Sequence, residues 1–264
     1  MVAQEAPIKI NCLTIPTYEN VVSLYRNKES TQYFVQYEAP DGTPIDAAYW
    51  LSSPTFFKSE DFYVYAEKLQ EHEKQLKQLN RHNENSSVTT LWGTSYEKCE
   101  YAVGVIFYRT PDHGGFYLSE QMNERVHYLY RNTSCWYEED VEAFKIINSF
   151  PELFTDLEKA NADIVLRNFF PFPYEKINNV SLSEGESFVK DREAFYYQHR
   201  NDWIGTFTSP IYGRSNVIRV EAALGGKKLK AHIKHFEVPL SEYLSRNRFG
   251  MIIDPKRHPE ILEH

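Results

Sequence analysis

Residues 99–119, CEYAVGVIFYRTPDHGGFYLS, constrain the fold more than any other stretch of the chain. The part CEYAVGVIFYRT (99–110) is almost continuously apolar. A run of that length and composition reads as a strand buried on both faces. It leads into TPDHGG (110–115), where Gly114 and Gly115 are expected to adopt positive φ and turn the chain sharply. Phe116-Tyr117-Leu118 can resume as a strand, and Ser119 can cap a helix reaching Tyr130.

The flanking sequence supplies both helices and strands. IKINCL (8–13) and TQYFVQYEA (31–39) read as strands, with a turn at Asp41-Gly42. YWLSSPTFF (49–57) is apolar but broken by Pro54, which suits an irregular segment or an edge strand. From Ser59 the period changes: Phe62, Tyr65, Leu69, Leu76 and Leu79 are spaced for a helix, with Ser59 as cap and Glu60 and Asp61 in its first turn. The polar second half, EHEKQLKQLNRHNENSS, is expected to be a solvated helix end running into a flexible loop, free to meet a partner. SSVTTLWG (86–93) reads as another strand.

Further on, CWYEEDVEAFKIINSFPELF (135–154) has Trp136, Val141, Phe144, Ile147 and Phe150 near helical spacing, with Glu138, Glu139 and Asp140 crowding the expected first turn and Pro151 as the stop. Thr155–Glu158 is a capping-box pattern for a helix through Asn168, and Ser183–Glu186 repeats it. Between them NFFPFPYEK reads as an aromatic connector. DWIGTFTS (202–209), NVIRVEAAL (216–224) and KLKAHIKHFEV (228–238) read as strands, the last two joined by a Gly225-Gly226 hairpin. A short helix (239–246) and a strand (249–254) follow. The fold class is therefore α+β, with helices packed on a mostly antiparallel sheet, preceded by a smaller strand and long-helix region. The expected boundaries are 1–86 and 87–264.

Charge narrows the functional classes. Net charge is −8, and the one dense basic run, GGKKLKAHIKH (225–235), alternates like a half-exposed strand, so nucleic-acid binding is not expected. With 19 Tyr and 17 Phe the core is well supplied, and the surface can carry Tyr-rich contact patches. Cys12, Cys99 and Cys135 form no CxxC pair, which points to reduced thiols in a cytoplasm and to no zinc site. No run reaches membrane-spanning length. No GxSxG, GxGxxG, P-loop or HExxH occurs, so no cofactor and no metal is expected.

Several strings, in order, resemble a domain family: LWG and TPDHGG, then WYEED, FPELF and GESFVKD. Val238-Pro239, Glu242-Tyr243 and Arg248 through His258 continue the pattern. The family is an uncharacterised one of bacteriophages and plasmids, and the resemblance covers about residues 91–260. It implies a mobile-element setting, often among genes that manage host defences, and implies no activity.

Two clusters can carry chemistry. One is Asp112-His113 beside Gly114-Gly115, and the other is Glu138-Glu139-Asp140. An imidazole with carboxylates can hold a divalent metal or act as acid and base. The same groups can equally serve architecture, as helix-start acids and a turn histidine. The leading expectation is a protein that counters a host defence system by binding a host protein, of anti-CRISPR or anti-restriction type. Asp112, Gly114, Gly115, Tyr117, Trp136, Tyr137, Arg248 and His258 are its expected binding residues. The alternative is a metal-dependent hydrolase or nuclease with His113, Glu138, Glu139 and Asp140 as catalytic groups. A third reading is a small-ligand or nucleotide sponge at the glycine pair.

Overall fold

The computed structural model describes residues 8–14, 21–26, 33–38, 44–45, 55–56, 58, 60–226 and 233–262. The expected turn at Asp41-Gly42, the Ser59 cap, Pro54 and much of the basic run lie outside these residues. The fold is α+β, and its sheets are antiparallel. Contacts divide the chain into two units, Met1–Val180 and Ser181–His264, so the expected boundary at 86/87 falls inside the first unit.

In the first unit a sheet is built from β1 (Ile8–Thr14), β2 (Val21–Arg26), β3 (Tyr33–Glu38), β4 (Pro44–Ile45) and β5 (Thr55–Phe56). Helix α1 (Glu60–Gln78) follows and buries Phe62, Ala66, Leu69 and Glu73, the i, i+4, i+7 stripe of an amphipathic helix. Its polar second half is anchored, where solvation was expected. His72 is buried with Nδ1 2.7 Å from Thr155 Oγ1, and Gln75 bonds both the carboxylate and the backbone N–H of Asp156, each at 2.7 Å. Residues expected as a flexible loop form β6 (His82–Asn85).

A second sheet has the order β12-β11-β10-β9-β6, where β9 is Glu97–Ala102, β10 Val105–Arg109, β11 Gly114–Leu118 and β12 Trp136–Glu138. The small hairpin of β7 (Thr89–Thr90) and β8 (Gly93–Thr94) lies between β6 and β9 in the chain. The apolar run 99–110 is thus a hairpin and not one strand. It turns at Val103-Gly104, where Gly104 has φ +80° and Val103 is exposed. Alternate residues Cys99, Tyr101, Val105, Phe107, Phe116, Leu118 and Tyr137 form one buried face. Against it pack Ala143, Phe144, Ile146 and Ile147 of α3 (Ala143–Ser149) and Ala162 and Leu166 of α4 (Asp156–Phe169). Full burial of each large side chain contributes about 1.5–3 kcal/mol, so this cluster is the main stabilising mass of the unit.

Short helix α2 (Glu120–Arg125) is capped by Ser119 as expected, but stops well before Tyr130. Pro151 ends α3, and Thr155 and Glu158 form the full capping box of α4. The NFFPFPYEK stretch is helical, not a connector: α5 (Pro171–Asn178) starts on Pro171, whose missing N–H costs nothing at a helix start.

The buried Glu158 does more than cap. Its carboxylate takes Arg81 in two bonds, 2.9 and 2.6 Å, while Arg81 also donates to Leu153 O and lies 4.4 Å from the Tyr101 ring centre. Beside this pair, burial pushes the His72 pKa below its ordinary 6.5, with Glu158 opposing and Arg81 assisting. A histidine that is harder to protonate folded than unfolded lets protons favour the unfolded chain. The neutral-His contribution is intact above 6.5 and is lost as pH falls below it. Stability of the first unit is therefore expected to decline between about pH 7 and pH 5.5, and the His72→Gln variant to show a flatter decline in that window. Chemical denaturation at a series of pH values measures both.

The second unit contains α6 (Phe188–Gln198), β13 (Trp203–Ile211), β14 (Arg214–Leu224), β15 (Ile233–Pro239), α7 (Leu240–Leu244) and β16 (Ile252–Ile253). Its sheet order is β15-β14-β13-β16. Gly225 and Gly226 both take positive φ, but Ala223 pairs with Ile233, so the glycine pair is not a two-residue turn between β14 and β15, and residues 227–232 of the connection lie outside the described residues. Ser183 N–H reaches the Glu186 carboxylate, but the helix itself begins later, capped by Ser187. Val220, Ala222, Phe236, Val238, Met251 and Ile253 form the core. Among the described residues no helix is long and apolar enough to cross a membrane.

Candidate metal centre

Thr110 closes the loop that carries His113. Its N–H and hydroxyl both donate to His113 O, at 2.8 and 2.7 Å, and its hydroxyl oxygen accepts from His113 N–H at 3.2 Å. Pro111, Asp112 and His113 are exposed at the tip. The glycines do not make this turn. Gly114 and Gly115 lie inside β11, paired with Arg109 and Tyr108, and neither has positive φ. They are glycines because there is no room for a side chain. A Cβ on Gly114 would meet the Glu139 carboxylate and Tyr108 O, and one on Gly115 would meet the Trp92 ring and Tyr137 O.

The acid trio is placed differently from expectation. Trp136–Glu138 are drawn into the sheet beside β11, with Gly115 opposite Glu138 and Tyr117 opposite Trp136, and α3 starts only at Ala143. The acids therefore do not cap a helix. Strand pairing wins because it buries Tyr137 completely. The Tyr137 hydroxyl donates to Asn123 Oδ1 at 2.5 Å and accepts from Asn132 N–H at 3.0 Å. Asn132 in turn donates to Trp136 O and to Glu142, whose other oxygen holds the buried Lys145 at 2.8 Å. On the opposite face Trp136 packs against Trp92, Tyr108 and Tyr117, with centroids 5.6, 5.6 and 4.8 Å apart. The short strand is thus packed on both faces, and Glu138 and Glu139 stand at its end.

His113, Glu138 and Glu139 each bring one ligand atom to a point where all lie within 4.8 Å of one another. Two donors on one ion can be at most about 4.4 Å apart at zinc-like bond lengths and about 5 Å at calcium-like ones. The 4.8 Å span is inside the calcium-like limit and just outside the zinc-like one. One imidazole nitrogen with two carboxylate oxygens suits manganese or zinc. Glu139 is anchored by its N–H to Gly114 O at 3.0 Å. Burial pushes the Glu138 carboxyl above its ordinary range, opposed by the Asp140 N–H at 2.9 Å and by His113.

The other expected residues fall into place around this cluster or apart from it. Asp140 stays outside it, contributing its N–H and not its carboxylate. Tyr137 is part of the core. Tyr117 and Trp136 are half-buried flanks. Arg248 and His258 belong to the second unit. There Arg248 pairs with Asp191 at 2.6 Å, while buried His258 accepts from Asp254 N–H and bonds Glu242, holding a turn together.

Residues 85–200 match the family model of a domain of unknown function, DUF7007. The DUF7007 segment includes all three cluster residues, Trp92 and the network from Asn123 to Lys145. The resemblance read from the sequence extends beyond it, to residue 260. No curated protein and no solved structure matches the chain. Sequence reasoning missed Trp92, Asn123, Asn132 and Glu142. Their partners lie at irregular spacings that no periodicity marks, and Gly115 was the one local hint that something bulky approaches.

Proposed function

We propose that the chain is a divalent-cation-dependent hydrolase of phosphate esters, with His113, Glu138 and Glu139 as metal ligands. The observation that supports this is the convergence of one imidazole and two carboxylates from a loop and a strand end that the sequence separates by 25 positions (138 − 113). A cation held there would polarise an ester oxygen and supply hydroxide near neutral pH. Asp140, next to the ligands, is the chain's own candidate to take a proton.

Isothermal titration of the metal-stripped protein with Mn²⁺ or Zn²⁺ tests the site. The expected result is one strong site per chain, weakened about 100-fold by His113→Ala or Glu138→Gln without loss of thermal stability. Protons compete at the raised Glu138 carboxyl, so affinity should fall on acidification before an ordinary glutamate would protonate. Turnover of bis(p-nitrophenyl) phosphate should appear with the metal and vanish in both variants. No cation uptake, or uptake unchanged in the variants, overturns the reading.

A second reading is favoured by one observation: Val88, Leu91 and Tyr96 are exposed around the β7–β8 hairpin. In this reading the acidic protein binds a host defence protein without turnover, in keeping with the mobile-element resemblance. Leu91→Glu with Tyr96→Glu would then abolish any counter-defence effect that Glu138→Gln leaves intact.

A further inference from the structure

The second unit leaves one sheet edge open. β13 pairs with β14 along its length, but with β16 only at Trp203 and Ile204, followed by one bond from Gly205 N–H to Met251 O at 2.8 Å. Beyond Gly205 no described residue pairs with that edge. The opposite edge of the same sheet is covered. Glu237 N–H donates to Pro259 O at 2.9 Å, and Ile261 N–H to His235 O at 2.7 Å, so the C-terminal segment lies along β15. The open strand is also uncharged: Trp203–Tyr212 reads WIGTFTSPIY in a chain whose residues are 25% charged. Soluble proteins usually blunt such an edge with charges. Here the bulge at Gly205/Phe207 leaves Thr206 out of the β14 register, and Pro210 follows the open residues without covering them.

A groove of about 260 Å³ runs beside this edge, lined by Gly205–Thr208, Tyr243, Arg246, Gly250 and Met251. Arg246 is the one charged group in that lining. Its guanidinium lies 4.0 Å from the Tyr243 ring centre and donates to Tyr243 O at 3.0 Å, so the cation is held at the lip. Phe207 is exposed and offers an apolar contact.

We propose that this edge docks an extended segment of a partner protein, bonded main chain to main chain with Thr206–Ser209, and carrying a carboxylate side chain that reaches Arg246. Edge addition supplies affinity through backbone hydrogen bonds and takes selectivity from the side-chain contact. A guanidinium pre-set on an aromatic ring selects a carboxylate by a charge-assisted bond.

Fluorescein-labelled peptides of alternating Thr and Val, with a central Glu, Lys or Thr, test this by anisotropy on the full chain. A fourth copy of the Glu peptide carries N-methyl groups on alternate backbone amides. The Glu peptide should bind about 10-fold more tightly than the Lys peptide, and Arg246→Glu should reverse that order. The N-methylated copy should not bind, and amide exchange at residues 206–209 should slow only with the competent peptide. Arg246 is exposed, so its reversal leaves the core alone. Three results overturn the proposal: no peptide bound at millimolar concentration, equal binding of the N-methylated copy, or dimerisation of the chain through this edge that the Glu peptide does not relieve.

Discussion

Replacing Arg81 with methionine is expected to destabilise the first unit by about 3–5 kcal/mol, the usual cost of breaking a buried pair from one side. Glu158 is 1% exposed and would lose the guanidinium that pairs with it. The same carboxylate also accepts Thr155 N–H at 2.8 Å, so ejecting it into water would undo the α4 capping box. Arg81 further lies over Tyr101 and Phe154, and methionine replaces that apolar cover while removing only the charge and the donors. The decisive comparison is the double variant Arg81→Met with Glu158→Gln. It should recover a substantial part of the loss, because no unpaired ion is left inside. Urea unfolding followed by tryptophan fluorescence gives the three free energies. A double variant that costs the sum of the singles would mean the two side chains are not coupled.

The Gly115→Ala variant should lose about 3 kcal/mol, the upper end of what one inserted methyl usually costs. The Trp92 ring could tilt away, but Tyr137 O belongs to the neighbouring strand and can retreat only by breaking the β11–β12 pairing. Adding Trp92→Ala should therefore restore only part of the stability. Because Gly115 faces Glu138 in register, the same variant should also weaken cation uptake, which titration of the refolded protein would show. Unchanged stability would mean that the close approach of indole and glycine is not needed.

Much of the fold could be read from the sequence, and the failures share a cause. The Thr155–Glu158 box and the Pro151 stop rest on local chemistry, and both appear as expected. Long-range pairing decided the rest. Residues 135–138 look helical by spacing, yet one buried tyrosine and its amide partners make them a strand. The polar end of α1 looks solvated, yet His72 finds a partner 83 residues away. The apolar run 99–110 suggested one strand, and the glycine within it was the overlooked hairpin signal. The site shows the same division. His113, Glu138 and Glu139 were identifiable as chemistry, but their convergence depends on strand register, which also places Tyr137 in the core.

Because among the described residues β12 is the last strand of its sheet and pairs with β11 alone, the three acceptors straddle a seam that is fastened on one side. An ion gripping His113 at the start of one strand and Glu138 at the end of the other would act as a clasp across that seam. Occupancy and fraying of the rim would then be a single equilibrium: whatever loosens the terminal strand releases the ion, and whatever supplies the ion stiffens the terminal strand.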